Sequence, residues 1–121
     1  MAPTLAVERS SREVVAAVWS ALLRRGYHLE CSFDLQDAVA HHPVGCDCPY
    51  HGTAACTCQY VVLLAYPPER LSAPPRVFTF HANGQKTWVT LHPDSSMDAR
   101  ETRVLLSMLA EAVLRPEAAA P

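Results

Sequence analysis

Four of the five cysteines in this chain of 121 residues fall within one stretch of thirteen, from Cys46 to Cys58. The stretch contains two Cys-x-Cys pairs, with one histidine, His51, between them. A chain of this length buries only a modest hydrophobic core, so a cross-link within the stretch would have a large effect on folding. The chemistry of this cluster is therefore the first question that the sequence poses.

The cysteine cluster has the composition of a zinc site. Thiolate sulfur and imidazole nitrogen are the ligands that tetrahedral Zn²⁺ prefers, at about 2.0–2.3 Å. Residues i and i+2 of a regular strand share one face but lie about 6.6 Å apart, farther than two sulfurs bound to the same ion at about 2.3 Å, so we expect each Cys-x-Cys pair to lie in a turn. Gly45, Pro49 and Gly52 favour such turns. A disulfide does not easily join residues i and i+2. We therefore predict one zinc site in the metal loop, residues 45–58.

Two ligand sets remain open for this site. In the first, Cys46, Cys48, Cys56 and Cys58 bind the ion, and His51 donates a hydrogen bond to a sulfur. In the second, His51 is itself a ligand and replaces Cys46. Four or five available ligands are typical of a closed structural site, whereas a catalytic zinc keeps one position open for water. The sequence has neither an HExxH motif nor a glycine-rich phosphate loop, and we assign no catalytic residue.

The metal loop resembles part of the SWIM-type zinc finger pattern. That family carries CxCP, a spacer, and CxH followed by an apolar run, and this chain has CDCP, a spacer and CTCQYVVLL. Cys58 stands where the family has histidine, and the likeness covers thirteen of 121 residues. The resemblance implies a structural zinc ion, contacts with protein or nucleic acid, and a helix after Cys58. By contrast, the β-branched residues and closing diproline favour a strand over 59–66, covered on both faces.

Amphipathic helices are predicted near both ends of the chain. Ser10 and Glu13 have the spacing of a capping box, and the apolar stripe behind them predicts a helix over 11–25. The second helix is predicted to start at Ser95 or Ser96 and to end at Pro116. It places an apolar stripe toward the core, and the tail 117–121 is expected to be frayed.

Between the helices the apolar period changes to two. Residues 27–35 alternate without a break, which predicts a strand with Cys31 on its buried apolar face. The Asn-Gly dipeptide at 83–84 predicts a two-residue hairpin turn, in which Phe80 pairs with Thr87.

The same hairpin has a second face that carries Trp88, His81 and Lys86. A tryptophan in this position is either covered by another element or exposed as a contact residue. We therefore predict a contact surface here, for a protein partner or for a second copy of the chain.

Together these features predict a single α+β domain over residues 1–121. The expected fold is an open, mainly antiparallel sheet of about four strands, with the N- and C-terminal helices packed on one face and the metal loop between two strands. The formal net charge of −2 gives no electrostatic case for nucleic acid. We find no signal peptide and no apolar run long enough to span a bilayer. These features indicate a cytoplasmic protein, where thiols stay reduced.

The function that the sequence favours is a small zinc-binding protein with a structural Zn²⁺, acting as a protein-interaction or regulatory module. The alternative is a metal sensor or buffer, in which the thiolates bind metal reversibly. A metal- or thiol-dependent enzyme is the third and least favoured hypothesis.

Overall fold

The computed structural model of the protein describes residues 2–34, 58–68 and 72–114. These residues form one open sheet in the order β1-β5-β4-β3-β2, in which every neighbouring pair is antiparallel, and two helices. The α+β prediction is confirmed, whereas the metal loop up to residue 57 and the tail 117–121 lie outside the described residues. In chain order the elements are β1 (Thr4–Val7), α1 (Ser11–Arg24), β2 (His28–Asp34), β3 (Cys58–Tyr66), β4 (Arg76–Asn83), β5 (Lys86–His92) and α2 (Ala99–Leu114).

The sheet has five strands where the sequence predicts about four. The additional strand is β1, which lies at one edge of the described sheet and pairs there with β5, from Thr4 opposite Thr90 to Val7 opposite Thr87. A strand of four residues is too short for its alternation to stand out from the surrounding chain. Because β1 and β2 lie at opposite edges, α1 must cross the whole sheet between them.

Helix α1 begins and ends where its sequence predicts. The Ser10 hydroxyl accepts a hydrogen bond from the Glu13 amide at 3.3 Å and donates one to the Glu13 carboxylate at 3.0 Å. At the other end, Gly26 has a φ of +87°, a left-handed conformation that favours glycine. The amides of Gly26 and Tyr27 donate to the carbonyls of Leu23 and Leu22, the paired bonds of a Schellman motif.

Helix α2 begins at Ala99, so the prediction that it starts at Ser95 or Ser96 is wrong. The true cap is Asp98, whose carboxylate accepts from the Glu101 amide at 2.7 Å. Ser95 and Ser96 lie in a turn before it, and the Asp94 carboxylate accepts hydrogen bonds from the Ser96 amide and hydroxyl. These bonds lower the pKa of Asp94. Because the Asp94 carboxylate holds Ser96 in this turn, the helix begins about one turn later than predicted.

A β-bulge interrupts the predicted alternation of β2. Cys31 lies opposite Leu63, but Phe33 lies opposite Val62, so the register shifts between them. The bulge places Phe33 on the face of the sheet away from the helices. Cys31 is exposed, and the prediction that it belongs to the buried core is wrong. It lies on the edge strand, where the helices do not cover it.

The β4–β5 hairpin keeps its predicted faces but not its predicted register. Phe80 pairs with Val89, and the closing pair is Asn83 with Lys86, so the turn residues are Gly84 and Gln85. Only Gly84 has a positive φ, +64°, among the turn residues, which is the arrangement of a type II′ turn with glycine first. The register moves by two residues, and an even shift leaves each side chain on its predicted face.

The core lies between the helices and one face of the sheet. The strand prediction for 59–66 is confirmed by β3, and the helix that the zinc finger resemblance implies there is not present. Val61, Leu63 and Ala65 are buried beneath the helices. The alternate residues of β3 are partly exposed, so the prediction that both faces are covered is wrong. No helix among the described residues is long and apolar enough to cross a membrane.

One charged group, Arg76, is fully buried at the start of β4. Its guanidinium donates to both carboxylate oxygens of Glu101, at 2.6 and 2.8 Å, and to the Pro74 carbonyl and the Ser96 hydroxyl. The bond to Glu101 is the main reason that the pKa of Arg76 is raised. Burial, followed by the charge of Glu101, raises the pKa of Tyr27 beside this pair. This network joins β4 to α2.

Candidate functional site

Both ends of the segment 35–57 lie at one end of the sheet. Asp34 is the last residue of β2 and pairs with Val61, while Cys58 is the first residue of β3 and pairs with Asn83. The two neighbouring strands therefore begin and finish the connection that contains the predicted metal ligands. We call this end of the strands, which also carries the β4–β5 turn, the loop end of the sheet.

Cys58 is the one predicted ligand whose backbone the structure describes. Cys46, Cys48, Cys56 and His51 lie outside the described residues, so the zinc site itself stays a prediction. No group of three or more His, Cys, Asp and Glu side chains within residues 2–34, 58–68 and 72–114 is placed to hold a metal ion.

The fifth cysteine is separate from Cys58. Cys31 pairs with Leu63, five residues along β3 from Cys58. At about 3.3 Å per residue the two positions are roughly 16 Å apart, too far to share one ion with bonds of about 2.3 Å. The thiol of Cys31 donates instead to the carbonyl of Phe33 at 3.6 Å.

The predicted contact residues belong to a row of rings that crosses the loop end of the sheet. His81 lies opposite both Tyr60 and Trp88, and the ring of Phe33 contacts that of Tyr60. Successive ring centroids are 6.3, 6.3 and 5.7 Å apart. Lys86 lies 5.3 Å from the centroid of Trp88, within the range of a cation–π interaction. We call Phe33, Tyr60, His81 and Trp88 the aromatic row.

The aromatic row lies on the face of the sheet opposite the two helices. Tyr60 is 37% exposed, His81 is exposed, and Phe33 and Trp88 are partly buried. The prediction that Trp88, His81 and Lys86 share one face is therefore confirmed. The sequence pattern does not predict Tyr60 and Phe33 as neighbours of this surface, because their positions depend on strand pairing and on the bulge in β2.

A groove on the opposite, helix-covered side of the sheet was also missed. It lies between α1 and the β2–β3 edge and encloses about 560 Å³. Arg12 and Trp19 line it from the helix, and Cys31 and Val61 line it from the strands. The local pattern marks Trp19 only as a residue of the apolar stripe. The groove arises from the position of α1 over the sheet.

Comparisons with known proteins assign the chain to no group. No protein-family model, no curated protein and no solved structure matches it. The resemblance of the metal loop to SWIM-type zinc fingers stays a prediction.

Proposed function

We propose that this chain is a small cytoplasmic zinc-binding protein in which one structural Zn²⁺ holds the metal loop, and that it acts as a protein-interaction module. The observation that carries the proposal is the pair of Cys-x-Cys motifs in a connection whose two ends lie on neighbouring strands, at Asp34 and Cys58. An ion bound in such a connection would shorten the part of it that is free to move. It would stabilise the pairing of β2 with β3.

The aromatic row supports the interaction role. Cys58 lies two residues before Tyr60 on β3 and pairs with Asn83, two residues after His81 on β4. A zinc site ending at Cys58 would therefore border the exposed rings. Aromatic residues on a partly exposed face are typical of protein contact surfaces.

The metal content of the purified full chain tests the zinc site. We expect one zinc per chain by elemental mass spectrometry. If the four cysteines bind, Cys46→Ser loses the metal and His51→Asn keeps it; if His51 is the ligand that replaces Cys46, the pattern reverses. Cys31→Ser is the matched control and should retain full zinc.

Two outcomes would contradict the zinc proposal in different ways. A zinc-free protein after purification without chelators, with reactive thiols in the metal loop, excludes a metal site and favours thiol chemistry. Zinc that exchanges freely and leaves circular dichroism unchanged on removal favours the sensor or buffer alternative.

The partner that we propose for the aromatic row is a second copy of the chain. Five strands about 4.8 Å apart, each about seven residues long, present a face of roughly 550 Å². A specific interface buries at least about 500 Å² on each partner and commonly about 800 Å², so a dimer would use the whole face and not the aromatic row alone. Lys86 pairs with Glu8 at 3.9 Å, so this end of the face has no strong excess charge that would attract nucleic acid or repel its own copy.

Sedimentation velocity over a range of concentrations tests this dimer. Trp88→Ser should raise the dimer dissociation constant about thirtyfold, the ratio for a contact residue worth about 2 kcal/mol. Leu23→Ser is the control, because Leu23 is 51% exposed on α1, on the helix side of the sheet. A chain that is monomeric at millimolar concentration, or equal effects of the two variants, would contradict the proposal.

A further inference from the structure

The groove between α1 and the β2–β3 edge has the size of a small-molecule site. Its volume of about 560 Å³ lies within the range of about 300–1,000 Å³ that is usual for ligand pockets. It lies on the helix-covered side of the sheet, whereas the aromatic row lies on the other side. The two surfaces are therefore independent.

The groove exists because α1 leaves the β2 edge partly uncovered. The helix packs on the sheet through a buried stripe that includes Val14, Val18 and Leu22. A second stripe flanks the first, with Arg12, Val15, Ala16 and Trp19 spaced three or four residues apart along the wall of the groove. Cys31 and Val61 lie opposite this wall. The volume of the groove is the space that these lining side chains leave between the helix and the strands.

The walls of the groove are mainly apolar. Val15 and Trp19 are partly buried and pack against the core, and Val61 is buried. Two polar residues of the lining, Ser11 and Gln59, form a hydrogen bond in which the Ser11 hydroxyl donates to the Gln59 amide oxygen. The lining is therefore complementary to a ligand body of aromatic or branched aliphatic character.

Arg12 is the charged residue of the groove lining. It is exposed, and no carboxylate within the described residues forms an ion pair with it. The nearest acid in sequence, Glu13, accepts a hydrogen bond from Ser10 and lies 4.0 Å from Arg9. A guanidinium at the rim of an apolar groove is complementary to a carboxylate, which it can bind through two parallel hydrogen bonds.

We propose that this groove binds a small amphipathic anion, an aromatic or branched aliphatic carboxylate whose charged group pairs with Arg12 and whose body lies against Trp19. The groove uses none of the predicted zinc ligands. Its occupancy is therefore separate from the metal content, and either proposal can fail without the other.

Two fluorescent probes of nearly the same shape test the proposal on the full chain. The sulfonate of 8-anilinonaphthalene-1-sulfonate supplies the anion, and N-phenyl-1-naphthylamine lacks it. We expect Arg12→Gln to weaken binding of the sulfonate at least about tenfold and to leave binding of the neutral probe unchanged. Arg24→Gln is the matched control, because Arg24 is exposed on α1 but lies outside the groove lining.

Amide and indole NMR spectra identify where the probe binds. The chain has two tryptophans, so the sulfonate should shift the indole N–H signal of Trp19 and leave that of Trp88 in place. Ala16→Trp, which fills the groove, should abolish binding of both probes without loss of the folded spectrum. A shift confined to Trp88, equal effects of Arg12→Gln and Arg24→Gln, or no binding of either probe would overturn the proposal.

Discussion

Arg76→Met should lower the free energy of unfolding by about 3 kcal/mol, measured by urea denaturation with circular dichroism. Arg76 is fully buried, and Glu101 is only 15% exposed. Methionine fills a similar volume but removes the positive charge that is bonded to both Glu101 carboxylate oxygens. The carboxylate would keep its desolvation cost without the guanidinium. The hydrogen bonds to Pro74 and Ser96 would be lost as well.

Two further variants separate charge from packing in this prediction. Arg100→Met removes an exposed arginine from α2 and should change the stability by less than about 0.5 kcal/mol. The double variant Arg76→Met with Glu101→Met removes both charges, and we expect it to regain most of the loss. An Arg76→Met protein within 1 kcal/mol of the Arg100→Met protein would show that the buried pair contributes little to stability.

The elements that sequence analysis predicted correctly are those whose signals are local. The ends of α1 are determined by hydrogen bonds within a few residues, at Ser10, Glu13 and Gly26. The spacing of these residues in the sequence is therefore enough to predict where the helix begins and ends. The faces of the β4–β5 hairpin were correct even though Phe80 pairs with Val89 rather than Thr87. The alternation of a strand specifies its faces, and a shift of two residues preserves them.

The features that the sequence does not predict depend on residues that are distant in sequence. Strand β1 is stabilised as a strand by β5, whose residues lie 80 to 86 positions later, and Arg76 is buried because Glu101 reaches it from α2. Cys31 follows the apolar alternation of β2, yet burial also requires a covering element, and α1 does not extend over it. Alternation predicts which face a residue occupies but not whether that face is covered.

The candidate sites divide in the same way. The metal loop could be predicted because ligand type and spacing are written in consecutive residues, from Cys46 to Cys58. The groove could not, since Arg12 and Val61 meet only when α1 is placed over the sheet. The aromatic row is intermediate. Trp88 and His81 follow from the hairpin pattern, but Tyr60 requires the β3–β4 register.

Removal of zinc by a strong chelator should lower the free energy of unfolding by about 4 kcal/mol when the reference sample contains zinc about a thousandfold above its dissociation constant. The proposed ion binds the folded metal loop and not the unfolded chain, so its binding free energy adds to folding. The loss of protection from hydrogen exchange should be largest in β2. This strand lies at the edge of the sheet, pairs only with β3 among the described strands, and ends at Asp34, where the segment 35–57 that contains most of the metal loop begins.

Hydrogen exchange with and without the chelator locates the effect along the sheet. Amides of β2 and of the first residues of β3 should lose the most protection, because these residues should also open locally. The loss at β4 and β5, which are joined by the hairpin turn at Gly84, should not exceed the fall in the global free energy of unfolding. Cys48→Ser should reproduce the chelated state, and Cys31→Ser should not, because Cys31 lies too far along β2 to share an ion with Cys58. Zinc that leaves without any change in unfolding or exchange would contradict a structural role. A loss of protection spread evenly over all five strands would instead mean that the ion stabilises the whole domain rather than the β2–β3 pairing.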